Sequence, residues 1–127
     1  MIQYLTIATT GNTTDFGDLI NRFVSTAACS STTRGVFFMG YSTSNWDNTI
    51  NYITMATTSN ATDFGDLTLS SYGGMYAAAS SNGTRGIIEG GSSTQIVQIT
   101  IATTGNPTNF GTMISSQNLY AGACSGN

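Results

Sequence analysis

The chain has 127 residues, of which only 7% are charged, and six acidic residues against three arginines give a net charge of −3. This length allows one domain or part of one. The charge balance excludes the basic surface that nucleic-acid binding requires, and the low charge excludes the usual composition of a disordered chain. Serine, threonine, asparagine and glycine alternate with β-branched and aromatic residues, which is typical of tightly turned β-sheet.

One phrase occurs three times, at Thr6–Leu19, Thr54–Leu67 and Thr100–Met113, with offsets of 48 and 46 residues. A second phrase occurs twice, at Thr33–Gly40 and Thr84–Gly91. A period of this size indicates a propeller, a solenoid or another array of one supersecondary unit. We therefore divide the single domain, residues 1–127, into the tandem repeats 1–48, 49–94 and the incomplete 95–127.

The first predicted element in chain order is a strand over residues 1–9. Ile2 and Tyr4 alternate with Leu5 and Ile7, and the next two copies of the phrase begin with the same pattern. Apolar residues on both faces predict a strand that is covered on each side, as in stacked propeller blades. We find no basic leader and no run near the roughly 20 apolar residues of a membrane helix, so we expect neither a signal peptide nor membrane insertion.

A tight turn and a short strand follow in each copy. Glycine and asparagine occupy the turn, and both tolerate the positive φ of tight hairpins. The short strand contains one aromatic residue followed by glycine, and we interpret the aromatic as a core anchor and the glycine as a bulge or bend. The three predicted anchors are Phe16, Phe64 and Phe110.

The next strand is rich in small residues and leads through a hairpin to an Arg-Gly-apolar strand. In the second repeat the hairpin contains Asn82 and Gly83, a strong signal for a tight turn. Cys29, Ala79 and Cys124 occupy equivalent positions in the small-residue strand. A site that accepts either cysteine or alanine indicates a small buried side chain, so we predict two unpaired, buried thiols. The count is four strands in each unit and eleven in the chain.

The unit resembles a kelch repeat, the four-stranded blade of kelch β-propellers. Gly90 and Gly91 close the second strand, and Tyr4 and Tyr52 precede the aromatics Phe16 and Phe64. Three features depart from that pattern: Met39–Gly40 in place of Gly-Gly, Gln98 in place of the tyrosine, and phenylalanine in place of the usual tryptophan.

The longer phrase is similar to the kelch-like arrays of marine bacteriophage structural proteins. This resemblance implies a β-propeller and a virion or phage-derived origin. The protein would be made in the host cytoplasm and found in the virion or outside the cell after release. The resemblance implies no catalytic residues.

The predicted fold is all-β, with kelch-like blades closed into a ring by homo-oligomerisation. Propellers close with about four to eight blades, whereas eleven strands make fewer than three. We expect two chains to share a six-bladed ring, which would also cover the open sheet edges. The alternative is a monomeric β-trefoil, which also has three four-stranded repeats.

The candidate ligand site is the long loop that contains the only tryptophan. Trp46 is accompanied by Tyr41, Asn45 and Asp47, a set suited to stacking on a sugar and bonding its hydroxyl groups. The alternative is a Trp46 folded over the blade edge or buried at a subunit contact. The predicted function is a structural or interaction module whose partners are virion proteins or a host-surface glycan, and the alternative is a stand-alone lectin.

The arginines are the other candidate functional residues. Arg34 and Arg85 hold equivalent positions before a glycine, so we predict one structural role used twice, in which each guanidinium reaches carbonyls or an aspartate of a neighbouring unit. Thr13–Gly17 partly matches the Asp-box of sialidase propellers, which is a structural turn in those proteins. No acid, base and nucleophile are placed asymmetrically, so we predict no enzyme activity.

The paired aspartates admit two interpretations. Asp15 with Asp18, and Asp63 with Asp66, offer the oxygen ligands that Ca²⁺ prefers. Capping of turns by aspartate explains the same pairs more simply, and the third copy has lost both carboxylates. We therefore expect no metal and no cofactor.

Overall fold

The structure, a computed structural model, describes residues 1–22, 24, 26–38, 40, 47–68, 76–91, 93–115 and 122–125. These residues form ten β-strands and contain no helix, in agreement with the predicted all-β class. Within these ranges nothing helical is long and apolar enough to cross a membrane.

The strands are short and each contains three to six residues. In chain order they are β1 Ile2–Tyr4, β2 Thr14–Gly17, β3 Ala27–Ser30, β4 Arg34–Phe38, β5 Thr49–Thr54, β6 Thr62–Asp66, β7 Ala77–Ser81, β8 Arg85–Gly90, β9 Gln95–Thr100 and β10 Thr108–Thr112.

The strands form three antiparallel sheets. Sheet 1 contains β1 and β2, sheet 2 has the order β3-β4-β5-β6, and sheet 3 has the order β10-β9-β8-β7. Sheets 2 and 3 are therefore simple meanders, which hairpin connections favour. Each sheet takes two strands from one sequence repeat and two from the next. In sheet 2, for example, β3 and β4 belong to the repeat 1–48, and β5 and β6 belong to the repeat 49–94. Sheet 1 contains only the last two strands of such a unit.

Sheets 2 and 3 have matching strand registers at equivalent sequence positions. Arg34 pairs with Thr54 in sheet 2, and Arg85 pairs with Thr100 in sheet 3. Cys29 faces Val36 across the strands, as Ala79 faces Ile88. The β7–β8 hairpin turns where expected. The side-chain oxygen of Asn82 accepts hydrogen bonds from the backbone N–H groups of Thr84 and Arg85.

The core lies between sheets 2 and 3. The small-residue strand β3 packs against β7, and a single cluster joins buried side chains from both sheets. Its fully buried members include Val36, Phe38, Ile50, Ile88 and Val97. Strand β5 has buried residues on both faces, as its apolar pattern predicts, whereas the buried residues of β9, Val97 and Ile99, lie on one face.

Strand β1 differs from that prediction. It ends at Tyr4 rather than near residue 9, and all three of its residues are exposed or only partly buried. In its sheet β1 pairs only with β2, whereas β5 and β9 each pair with a strand on both sides. The expected eleventh strand is also not seen, because residues 122–125 are not in a strand and residues 119–121 lie outside the described part. No closed ring is formed by the described residues.

The two cysteines differ in environment although they hold equivalent repeat positions. Both are free; Cys29 is buried and Cys124 is exposed, so the prediction of two buried thiols is wrong for Cys124. Cys29 lies in β3 against Gly86 of sheet 3, whereas Cys124 lies outside the strands that the structure describes. Removal from water raises the pKa of the Cys29 thiol to about 11.

This difference predicts two distinct thiol reactivities. In the native protein at neutral pH, Cys124 should react with a maleimide and Cys29 should react only after denaturation, because it is covered and is not a thiolate. The variants Cys29→Ala and Cys124→Ser assign the two reactions in a mass-spectrometric time course. Rapid native labelling of the Cys124→Ser variant would show that Cys29 is accessible.

Candidate interaction site

The predicted sugar-binding loop is only partly visible. Tyr41, Asn45 and Trp46 lie outside the described residues, so their grouping stays a prediction. Asp47 is described, and it begins the segment that leads into β5. Its carboxylate accepts hydrogen bonds from the Asn21 side chain at 2.9 Å, from the Thr49 backbone N–H at 2.9 Å and from the Thr49 hydroxyl.

These bonds determine the charge state of Asp47. Partial burial alone would raise the pKa of its carboxyl group, but the hydrogen bonds from Thr49 and Asn21 outweigh burial and hold the pKa below its usual value. Asp47 is therefore an ionised carboxylate at neutral pH, oriented at the base of the loop. Its observed contacts stabilise a turn, and its remaining lone pairs can still accept a hydroxyl group.

Arg34 connects sheet 2 to sheet 3. Its Nη1 atom donates to the backbone oxygen of Ile101 at 3.1 Å, and its guanidinium lies over the ring of Tyr52, 4.4 Å from the centroid. This bond joins Arg34 to a backbone carbonyl of another repeat, the kind of partner that the sequence suggests. The stacked ring and the carbonyl together fix the planar side chain at the junction between the sheets.

Arg85 holds the same register position but has different surroundings. Its side chain is exposed and makes no hydrogen bond or ion pair with any residue in the described ranges. Gln98 stands where Tyr52 stands in sheet 2, since each pairs with the first threonine of its outer strand. Without the aromatic ring, an open cavity of about 320 Å³ lies beside Arg85, lined also by Gln98, Thr100 and Asn106. The predicted role is thus shown for Arg34 alone.

These two arginines make a matched pair for a stability test. Replacing Arg34 by Met should lower the free energy of unfolding by about 1 kcal/mol, because it removes a charge-assisted hydrogen bond and a stacked guanidinium. Arg85→Met should leave the melting temperature of the dilute protein unchanged. Thermal melts followed by circular dichroism provide the measurement, and equal losses for the two variants would contradict the distinction.

The predicted core aromatics also divide into two kinds. Phe16 and Phe64 are buried, with 9% and 2% of their surfaces exposed. Each ring packs edge-on against a tyrosine ring of its own sheet, Tyr4 or Tyr52, with 6.0 Å between the ring centroids. Phe110 is 47% exposed, so its prediction as a core anchor is wrong within a single copy of the chain. The turn residues Gly105 and Asn106 lie against β6, whereas none of the described turns lies against β10 in this way.

The glycine after each buried aromatic forms a tight junction with the next sheet. Gly65 has φ of +147°, and a methyl group on it would lie only 2.7 Å from the carbonyl carbon and oxygen of Gly105. Gly17 has nearly the same φ, +148°, and meets the backbone of Ser59 in the same way. Only glycine allows both this conformation and this approach.

An asparagine completes each junction. The side-chain oxygen of Asn106 accepts the N–H of Asp66 at 2.9 Å, and that of Asn60 accepts the N–H of Asp18 at 2.9 Å. We interpreted these asparagines from the sequence as turn residues; their second role, binding the preceding sheet, was missed. The signal was present, since asparagine holds this position in all three copies of the phrase.

Asn51 takes part in a further hydrogen bond between sheets, which the sequence repeat does not predict. Its side chain is fully buried, and its oxygen accepts the N–H of Ile20 at 2.9 Å, which joins sheet 1 to sheet 2. Its Nδ2 atom has no hydrogen-bond partner among the described residues. The equivalent positions carry Gln3 and Val97, so this contact belongs to one junction only.

The aspartates act in the turns. Asp15 accepts the N–H of Gly17 at 3.1 Å, and Asp63 accepts the N–H of Gly65 at 3.0 Å, which stabilises the glycine bulges. Asp18 lies 3.1 Å from the N-terminal ammonium group, and both groups are exposed. Within the described ranges, no three acidic, cysteine or histidine side chains gather in a way that could hold a metal ion.

No protein family matches the chain, and no curated protein matches it either. Any proposal about function therefore depends on the repeats, the junctions and the loop that precedes Asp47.

Proposed function

We propose that this protein is a non-enzymatic interaction module of a phage particle that acts in assembly or in recognition of a host surface. The observation that carries the proposal is the repeated junction between sheets, made by Gly17 with Asn60 and by Gly65 with Asn106. The polar side chains of the described residues are used mainly to fasten turns and to join sheets. Such an arrangement supplies a rigid scaffold and leaves the variable loops to make contacts.

The scaffold is proposed to be a kelch-like propeller closed by a second copy of the chain. The contact of β3 with β7 supports this, because small-residue strands line the axis of a propeller. Light scattering after size exclusion should then give twice the mass of the 13.2 kDa chain. A folded monomer at all concentrations would reject closure by a second copy.

The role in a particle is tested separately. We expect the protein to co-purify with virions through a density gradient and to be detected there by mass spectrometry. A protein that is expressed during infection but is absent from purified particles would contradict this role, whatever its oligomeric state.

Glycan binding through the loop is the second candidate function. It is favoured by Asp47, whose ionised carboxylate is held in place by Thr49 and Asn21 directly after Trp46 in the chain. The wild-type protein should bind a defined class of glycans on an array, and Trp46→Ala should abolish the signal. Tyr4→Ala, which removes an exposed aromatic outside the loop, is the control and should bind normally. Equal binding by both variants would exclude the loop.

A further inference from the structure

A set of hydrogen bonds joins sheet 2 to the β9–β10 turn of sheet 3, and we call this arrangement the junction template. Asp66 N–H donates to the side chain of Asn106, Gly105 N–H donates to the carbonyl of Phe64 at 2.7 Å, and Arg34 donates to the carbonyl of Ile101. In each bond, one partner lies on β4 or β6 of sheet 2. The other lies in the turn between β9 and β10 of sheet 3.

Each half of this template recurs once without its partner. The strand half recurs on sheet 3, where Thr112, Phe110 and Arg85 are the equivalents of Asp66, Phe64 and Arg34. We call this surface the strand end. The turn half recurs between β1 and β2, where Asn12, Gly11 and Ile7 are the equivalents of Asn106, Gly105 and Ile101. We call residues 5–13 the turn end.

Apolar residues at these two ends are exposed, although their equivalents between sheets 2 and 3 are buried. Ile101 is 1% exposed inside its junction, whereas its equivalent Ile7 is 95% exposed. Phe64 is 2% exposed, whereas its equivalent Phe110 is 47% exposed. Leu5 at the turn end is also more than half exposed. Between sheets 2 and 3, where the two halves meet, the residues at these repeat positions are buried.

The glycine backbones differ in the same way. Gly65 and Gly105 face each other with φ of +147° and +150°. Their equivalents Gly111 and Gly11 are outside the positive-φ region, and a methyl group on either would meet nothing within 4 Å. The positive φ of this pair of glycines is therefore found at the contact between sheets 2 and 3 and not at the two ends.

We propose that the turn end of one copy binds the strand end of a second copy and so repeats the junction of sheets 2 and 3 between chains. This inference rests on the proposed closure of the propeller and assigns the residues that make it. Asn12 would accept the N–H of Thr112, Gly11 would donate to the carbonyl of Phe110, and Ile7 would lie beside Arg85.

The open cavity of about 320 Å³ next to Arg85 lies at the strand end, where the second copy would bind. Arg34 binds the carbonyl of Ile101, and the Ile101 side chain is buried. By the same geometry, the carbonyl of Ile7 of the second copy would lie at this cavity and accept a hydrogen bond from Arg85. The two surfaces differ from each other, so the interface is heterologous and can close a ring when the rotation fits.

Disulfide trapping tests the contact directly. In a Cys124→Ser background, one batch of protein carries Asn12→Cys and another carries Thr112→Cys; both positions are exposed, so folding should be preserved. Under mild oxidation the mixture should form a cross-linked dimer, and neither batch alone should do so. Asp66→Cys with Asn106→Cys in one chain is the positive control, because the internal junction should cross-link within the molecule.

Point variants give the second measurement. Ile7→Asp and Gly111→Val should each raise the dissociation constant about tenfold or more, since one buries a charge and the other obstructs the glycine contact. Val24→Asp, a change at a similarly exposed apolar residue outside both ends, should not change it. Sedimentation equilibrium measures the constants, and circular dichroism confirms that each variant is folded.

The outcomes separate the two proposals. An oligomer that neither variant weakens, or a cross-link formed by one batch alone, would overturn the assignment of these two ends and leave closure by a second copy intact. A wild-type protein that is monomeric at every concentration would overturn both. Neither result affects the particle or glycan tests, which have their own readouts.

Discussion

Replacing Gly65 by alanine should cost about 3 kcal/mol or more of folding free energy and lower the melting temperature by about 10 °C. The residue has φ of +147°, which side chains rarely adopt, and the added methyl group would lie 2.7 Å from the Gly105 backbone and 2.9 Å from the Asn106 side-chain oxygen. Backbone atoms cannot move aside as the end of a flexible side chain can. The substitution should therefore separate sheets 2 and 3 locally.

Gly111→Ala is the matched control, because it changes the same Phe-Gly pair in β10, where nothing lies within 4 Å of the added methyl group. It should leave the melting temperature of the dilute protein unchanged. Chemical denaturation of both variants gives the free energies. A Gly65→Ala protein as stable as the wild type would show that this junction does not support the fold.

Gly86→Ala should be the second large effect, with a loss of about 2 kcal/mol. A methyl group at Gly86 would lie 2.6 Å from the sulfur of Cys29 and 3.1 Å from a side-chain carbon of Ile99, in the packed region between sheets 2 and 3. Cys29→Ala removes the sulfur and opens space for that methyl group. The double variant should therefore be more stable than the sum of the single losses predicts, by about 1 kcal/mol.

Urea unfolding of the four proteins in this cycle measures the coupling. Gly11→Ala provides the comparison, since its methyl group would meet nothing within 4 Å, and its combination with Cys29→Ala should be additive. Strict additivity of Gly86→Ala with Cys29→Ala would mean that the two residues are not in contact.

Local signals in the sequence located the hairpins and most strands, although β1 ends at Tyr4 and not near residue 9. Turn residues such as Asn82 and Gly83 place the hairpins, and the Arg-Gly-apolar phrase places β4 and β8, because turn chemistry and side-chain alternation act over a few neighbouring residues. The equivalence of Cys29 and Ala79, deduced from the repeat, is reproduced in the strand registers. The all-β class follows from the same short-range signals.

Tertiary structure decided which copy of each repeated residue is buried. Phe64 and Phe110 follow the same local pattern, yet one is in the core and the other is on the surface. Arg34 and Arg85 share a register position, yet only Arg34 has a ring and a carbonyl to bind. Burial and hydrogen bonding at these positions depend on the sheet that packs against them, which is distant in the chain. Asp66 and Asn106, for example, are 40 residues apart. A repeat in sequence therefore determines equivalent backbones, and only the packing of one sheet on the next determines equivalent environments.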